Sequence, residues 1–146
     1  MDRGVVAPKL QGMLIELTDL ALSAKQAHWN VHGPQFRPLH EQFDELAGDA
    51  RNWSDQVAER LVAIGFPAHG RVDAVATLTP LPAFPAGFVE DRKAVSAVVD
   101  LLDEIIDRAE PRIEQLGGAD PVSQDLFLRV TAGLEKHRWM FAAQQP

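Results

Sequence analysis

Apolar positions recur at helical spacing in four separate stretches of this chain. Leu10, Leu14, Leu17, Ala21, Ala24, His28 and Val31 fall on one side of a helix at about 100° per residue. Gly33-Pro34 ends that run, because proline disfavours helix for its predecessor and has no N–H to donate. A second stripe, Leu39, Phe43, Leu46, Ala50, Trp53, Val57, Leu61 and Ile64, stops at Gly65-Phe66-Pro67. Residues 66–90 hold Pro67, Pro80, Pro82 and Pro85 with Gly70 and Gly87, which predicts a long connection containing a short helix around Asp73–Thr77. The helical pattern resumes at Asp91 and runs through Val95, Val98, Leu102, Ile105, Ala109, Ile113 and Leu116. Pro111 is expected to kink this helix or free a carbonyl near Asp107, and Gly117-Gly118 to close it. Asp120-Pro121 reads as an N-cap with proline at the first helical position, followed by the stripe Val122, Leu126, Val130, Leu134, His137 and Phe141.

The expected architecture is therefore all-α, a single domain over 1–146 with helices at about 9–32, 36–64, 91–117 and 121–143. It is a four-helix bundle with one long crossover between the second and third helices. No internal repeat, low-complexity segment or useful strand-period stretch interrupts it.

Composition narrows the function. With 46% hydrophobic and 24% charged residues the chain is too apolar for disorder. A formal net charge of −7 argues against coating phosphate backbones and suits attraction of cations. Without cysteine, a disulfide framework, a thiolate zinc site and a cysteine nucleophile are all excluded. The opening MDRGVVAPKL has no apolar signal-peptide core, and no apolar run approaches the roughly 20 residues needed to cross a bilayer. The expectation is a soluble, cytoplasmic protein with no membrane partner.

The candidate chemistry lies on the second helix, where His40, Asp44, Asp55 and Glu59 spread over only about 100° of the circumference, beside the apolar stripe. His28 lies within the stripe of the first helix. Histidine nitrogen with carboxylate oxygen is a ligand set for iron, manganese or zinc. His40/Asp44 and Asp55/Glu59 are centred 15 residues apart, roughly 22 Å along a helix, so one chain cannot bring both pairs to one metal. Two chains can, if their second helices cross antiparallel about a twofold axis. The small residues of Ala47-Gly48-Asp49-Ala50, at the centre of that span, permit a close crossing. Taken singly, His28 is a core histidine and Asp55/Glu59 a solvated face paired with Arg51 or Arg60; taken together, the five residues favour a metal centre shared between subunits. His32, one turn from His28, and His69, without a partner at useful spacing, are weaker candidates. No Glu-x-x-His pair, His-Glu-x-x-His, Walker loop or Gly-x-Gly-x-x-Gly is present.

Lys25-Gln26-Ala27-His28-Trp29-Asn30-Val31, followed by Gly33-Pro34-Gln35-Phe36 and Leu39-His40, resembles the signature of the Dps mini-ferritins. Asp55 with Ala58-Glu59-Arg60 is similar to its second half, and Leu134-Glu135-Lys136 with Trp139-Met140 to its C-terminal helix. The resemblance implies a ferritin-like bundle and a di-iron ferroxidase centre between twofold-related subunits, with His28, His40 and Asp44 from one chain and Asp55 and Glu59 from its partner. It further implies a homo-oligomeric shell of twelve subunits that oxidises Fe(II), with hydrogen peroxide favoured over oxygen, and stores ferric mineral. Zinc or manganese would fit the same ligands.

The resemblance also implies that Trp29, beside His28, intercepts stray oxidising equivalents; a packed interface aromatic is the other reading. Asp125 lies 14 residues before Trp139, a spacing that resembles that of the pore-lining acid in this family. Asp120 and Asp125 are thus candidates for the route of iron uptake, against readings as a helix cap and a first-turn acid. Many relatives bind DNA through a Lys/Arg-rich terminal tail. Here the first ten residues carry only Arg3 and Lys9 against Asp2, and Phe141-Ala-Ala-Gln-Gln-Pro146 has no basic side chain. DNA binding is accordingly not expected, and DNA compaction and a non-redox metal-binding cage stand as alternatives. Trp53 has no reading beyond packing.

Overall fold

Asp2 decides where the first helix begins. Its carboxylate accepts from the backbone N–H of Gly4 at 3.1 Å, a donor a helix start otherwise leaves unpaired, and at 3.4 Å from that of Val5, which also bonds the Asp2 carbonyl. In the computed structural model, which describes all 146 residues, helix α1 consequently runs Arg3–Asn30, well ahead of the start its apolar stripe implies. Pro8 lies inside it, while Val6 and Leu10 on either side are fully buried and hold the turn to the core. The remaining elements are β1 (Val31–His32), α2 (Phe36–Ala63), α3 (Val72–Leu78), β2 (Val89–Glu90), α4 (Asp91–Ala119) and α5 (Pro121–Ala142).

Helix α1 stops at Asn30 because Val31 and His32 turn extended and pair in parallel with Val89 and Glu90. These two-residue strands are too short to leave a period-2 signature. Gly33 then takes φ +121°, a left-handed region that glycine enters without a Cβ penalty. The side chain of Asp91 receives the N–H of Gln35 at 3.0 Å and that of Arg92 at 2.8 Å, fastening this turn to the start of α4.

At the far end of α4, Gly117-Gly118 does not close the helix, which continues to Ala119. The amide of Gln124 lies over Gly117 and donates to the carbonyl of Ile113 at 3.1 Å, which supports the extra turn. Pro111 likewise leaves α4 unbroken. The next residue, Arg112, makes a bidentate pair with buried Glu16 of α1, at 3.0 and 2.6 Å.

The two long hairpins, α1 with α2 and α4 with α5, close on a core that includes Leu10, Leu17, Leu20, Leu46 and Phe127. Phe43 of α2 stacks on Phe141 of α5, with ring centroids 5.1 Å apart. Such a core, together with one long crossover, is the ferritin-like arrangement the stripes predict. The crossover follows the bundle surface and is tied to α1 at two points. Gln11 exchanges bonds of 2.7 and 3.1 Å with the backbone of His69, and Thr79 donates to Asp19 at 2.5 Å. No helix is long and apolar enough to cross a membrane.

Candidate metal centre

The last carbonyls of α1 have no partner within their own helix. One of them, that of His28, accepts from Nδ1 of His40 at 2.6 Å, and the His40 carbonyl accepts from Nδ1 of His28 at 2.5 Å. A carbonyl only accepts, so each Nδ1 carries a proton, and in the neutral form of each ring Nε2 presents a lone pair. The two rings stack with centroids 3.7 Å apart and planes 12° from parallel, and Phe36 stacks on His40 at 5.1 Å. Both imidazoles are thus fixed in tautomer and plane before any ion arrives, the second-sphere arrangement expected of metal-ligating histidines.

Asp44 lies one turn beyond His40 on α2. These residues border an open cleft of about 650 Å³ lined by His28, Phe36, Arg37, His40, Glu41, Asp44 and Glu45. The Lys25 ammonium donates to Asp44 Oδ1 at 2.5 Å. This bond, chiefly, holds the Asp44 carboxyl below its ordinary range, with burial opposing and the charges of Lys25, His28 and His40 assisting. Lys25 belongs to the motif read from sequence, but its partnership with Asp44 was not legible there; its only signal is a spacing of three from His28 on α1.

Asp55 and Glu59 occupy the other end of α2. Their mutual hydrogen bond, and then the Asp55 charge, raise the Glu59 carboxyl above its usual range. Two neighbouring carboxyls that repel once ionised are a pair a divalent cation would relieve. Glu59 borders a second shallow cleft with Gln56, Arg60, Ala63, Val122, Leu126 and Arg129.

Helix α2 is continuous from Phe36 to Ala63, so the two half-sites stay roughly 22 Å apart along its axis. Within one chain, no three histidine, aspartate or glutamate side chains converge closely enough to hold a metal ion. The His28/His40/Asp44 group and the Asp55/Glu59 pair are thus separate clusters within one chain.

The other singled-out residues have different surroundings. Trp29 is 63% exposed beside His28. His32 meets exposed Phe88 edge-on at 6.0 Å, and His69 engages Gln11 only through its backbone. Trp53 packs edge-on against His137, whose Nε2 lies 2.6 Å from Asp49. Asp120 caps α5 through the N–H of Val122, pairs with Arg60 at 2.7 Å, and is buried. Its carboxylate is taken up at a helix junction, which favours the helix-cap alternative over a place in a pore. Burial, the largest single effect, pushes its carboxyl up, but Arg60 and Ser123, which donate to it, together hold it below its ordinary range. Asp125 stays exposed and pairs one turn along the helix with Arg129 at 3.1 Å.

The fold recurs in known proteins. Residues 9–145 match the ferritin-like domain. The chain is 34% identical over 135 residues to the DNA protection during starvation protein of Agrobacterium fabrum, covering 92% of this chain and 83% of that one. It superposes on Dps from Microbacterium arborescens, solved in a high iron form, with a TM-score of 0.92 and 33% identity over 97% of this chain and 92% of that one. For Dps92 of Deinococcus radiodurans the TM-score is 0.95, with 30% identity over 97% and 86%. With this fold, this match and these relatives, the chain belongs to the ferritin-like domain family as a mini-ferritin of the Dps type.

Proposed function

We propose that this protein is a ferroxidase that oxidises Fe(II) with hydrogen peroxide and stores the ferric product inside a homo-oligomeric shell, the dodecamer of its family. Fe(II) is the substrate. Its centre forms where His28, His40 and Asp44 of one chain meet Asp55 and Glu59 of a twofold-related partner, with two irons held side by side. The observation that carries this reading is the reciprocal clasp of His28 and His40, which spends both Nδ1 protons on backbone carbonyls and leaves both Nε2 atoms free. Core histidines would bond their ring protons too; what favours a ligand pair is that both rings also border an open cleft with Nε2 unpartnered.

The ligand types suit the reaction. Carboxylates stabilise Fe(III) more than Fe(II) and so favour oxidation, while few imidazoles leave room for the oxidant. Two Fe(II) ions give one electron each to one peroxide, which takes up two protons and leaves as two waters. No hydroxyl radical is released by that stoichiometry, and Trp29 stands next to His28 to intercept a stray oxidising equivalent. The high-iron form of the Microbacterium relative supports an iron cargo. The net charge of −7 supports cation uptake and opposes retention of DNA, despite the name of the Agrobacterium relative.

The test is anaerobic loading with Fe(II) followed by peroxide, reading ferric absorbance and peroxide consumed. About two irons oxidised per peroxide is the expected result. Absence of a peroxide-dependent ferric signal overturns the reading and leaves a non-redox cage.

A further inference from the structure

We propose that Asp91, at the start of α4, is a positioning residue for the candidate metal centre: by holding the turn between α1 and α2, it keeps His28 in register with His40. The inference rests on the reading that these two histidines are ligands. Each half of their clasp joins a ring on one helix to a carbonyl on the other. Good N–H···O bonds span a window of only roughly 0.5 Å, so the clasp needs a fixed offset between the end of α1 and the start of α2.

The turn that sets this offset runs from Val31 to Gln35, and its hydrogen bonds to the rest of the fold converge on residues 89–91. Val31 and His32 pair with Val89 and Glu90, and Gln35 donates its N–H to Asp91 at 3.0 Å. Asp91 is 7% exposed and also accepts from the N–H of Arg92 at 2.8 Å. Burying a carboxylate is costly unless donors offset the lost water, and here the donors belong to the turn and to α4. The carboxylate also lies against Gly33, where a Cβ would stand 2.7 Å from Oδ2 and 2.9 Å from Cγ. Position 33 therefore demands glycine on two grounds, its φ of +121° and the carboxylate packed on its α-carbon. Asparagine at 91 would match the size, but its NH2 must face one of the two backbone donors, so one bond is lost.

Mixed assemblies separate positioning from general support. Asp91→Asn should lower the zinc affinity of the assembled, metal-free protein about tenfold by calorimetry, and rapid iron oxidation by a similar factor. Reassembled with equal Asp55→Ala chains, it should reach about a quarter of wild-type activity, because each mixed dimer joins one sound histidine half to one sound Asp55–Glu59 half. Reassembled with His40→Ala chains, it should stay below about a tenth, because no mixed dimer contains a sound histidine half. A general loss of stability would not distinguish the two partners. Gly33→Ala, which presses on the same carboxylate from the turn, should follow the same pattern. The proposal is overturned if the two mixtures behave alike, if Asp91→Asn binds zinc and oxidises iron as the wild type does, or if neither variant assembles, which would make the contact a support of the whole bundle. A control mixture of His40→Ala with Asp55→Ala that stays inactive would instead overturn the shared centre, and this proposal with it.

Discussion

The indole of Trp53 fills the space that a side chain at position 133 would need. A Cβ built on Gly133 would stand 2.8 Å from Cη2 of Trp53 and closer still to Cζ2, inside any tolerable contact. Glycine within a helix costs about 1 kcal/mol relative to alanine, so Gly133→Ala in isolation would favour α5. Overpacking typically costs about 1–3 kcal/mol, and here the obstacle is a ring wedged between α2 and α5 and also set against His137. Gly133→Ala should therefore lower the urea midpoint, and Trp53→Leu in the same chain should recover part of the loss. An alanine variant as stable as the wild type would show that the indole moves aside freely.

The pair of Glu16 and Arg112 makes a larger demand. Glu16 is 1% exposed in the heart of α1, and both of its oxygens are taken by the guanidinium. Removing one partner of a buried pair costs about 3–5 kcal/mol, because the remaining charge is left without water or counterion. Arg112→Met should destabilise the protein on that scale, whereas the double change Glu16→Leu with Arg112→Met should return most of it. Equal losses in the single and double variants would mean that the packing of the arginine stem matters and its charge does not.

Glu16 also shows where sequence reading stops. The helices were legible because each writes a stripe of apolar residues, and the separation of the half-sites was legible because helix length is simple arithmetic. The partner of Glu16 lies 96 residues away, and only tertiary packing creates the pairing. Asp2 and Gln124 moved two helix ends through side-chain bonds to backbone groups, which no periodicity encodes. The candidate ligands His28, His40, Asp44, Asp55 and Glu59 could be named from spacing and motif. The clasp of His28 and His40 could not, because it depends on how the end of α1 meets the start of α2. Lys25 was visible as a motif residue and silent as a partner for the same reason.

Acid should act through Asp91. The N–H of Gln35, and more weakly that of Arg92, hold the Asp91 carboxyl below its ordinary value of 3.8, although burial opposes them. A carboxyl depressed in the folded state contributes stability above its unfolded value and loses it as pH falls through the folded one. Asp91→Asn should thus weaken the protein at neutral pH, and the gap to the wild type should narrow as pH drops below about 3.8. Denaturation midpoints from neutral pH down to strongly acid conditions measure it. A gap of constant width would remove Asp91 from the acid response.

Sharing of the centre between chains makes a prediction that no intrasubunit site makes. His40→Ala and Asp55→Ala variants should each lose rapid iron oxidation, since each lacks one half of every centre. When the two are unfolded together and reassembled, some mixed dimers should pair an intact His28–His40–Asp44 half with an intact Asp55–Glu59 half. Part of the rapid phase should return, to about a quarter of wild type if pairing is random and the two variants are present equally. Mixed particles that assemble normally but stay inactive would place all the ligands of each centre on one chain.

Asp120 and Asp125 separate structural from electrostatic acids on one helix. Asp120 is buried, capped onto α5 and bonded to Arg60, so Asp120→Asn should cost stability through the loss of a partly buried charge pair. Asp125 is 67% exposed, and its bond to Arg129 is a surface pair of the kind worth little. Its carboxylate stays reachable from water beside Arg129, and Asp125→Asn should leave folding and assembly unchanged. If Asp125 lines the route of uptake, the variant should take up iron more slowly at low Fe(II), where encounter limits the rate. Raising the salt from about 0.01 M to 0.15 M shortens the Debye length from about 30 Å to about 8 Å and screens steering in both proteins. The difference between them should therefore shrink with salt. Stopped-flow uptake at two ionic strengths measures this, and identical rates at low salt would send the search for the uptake route to other acidic residues.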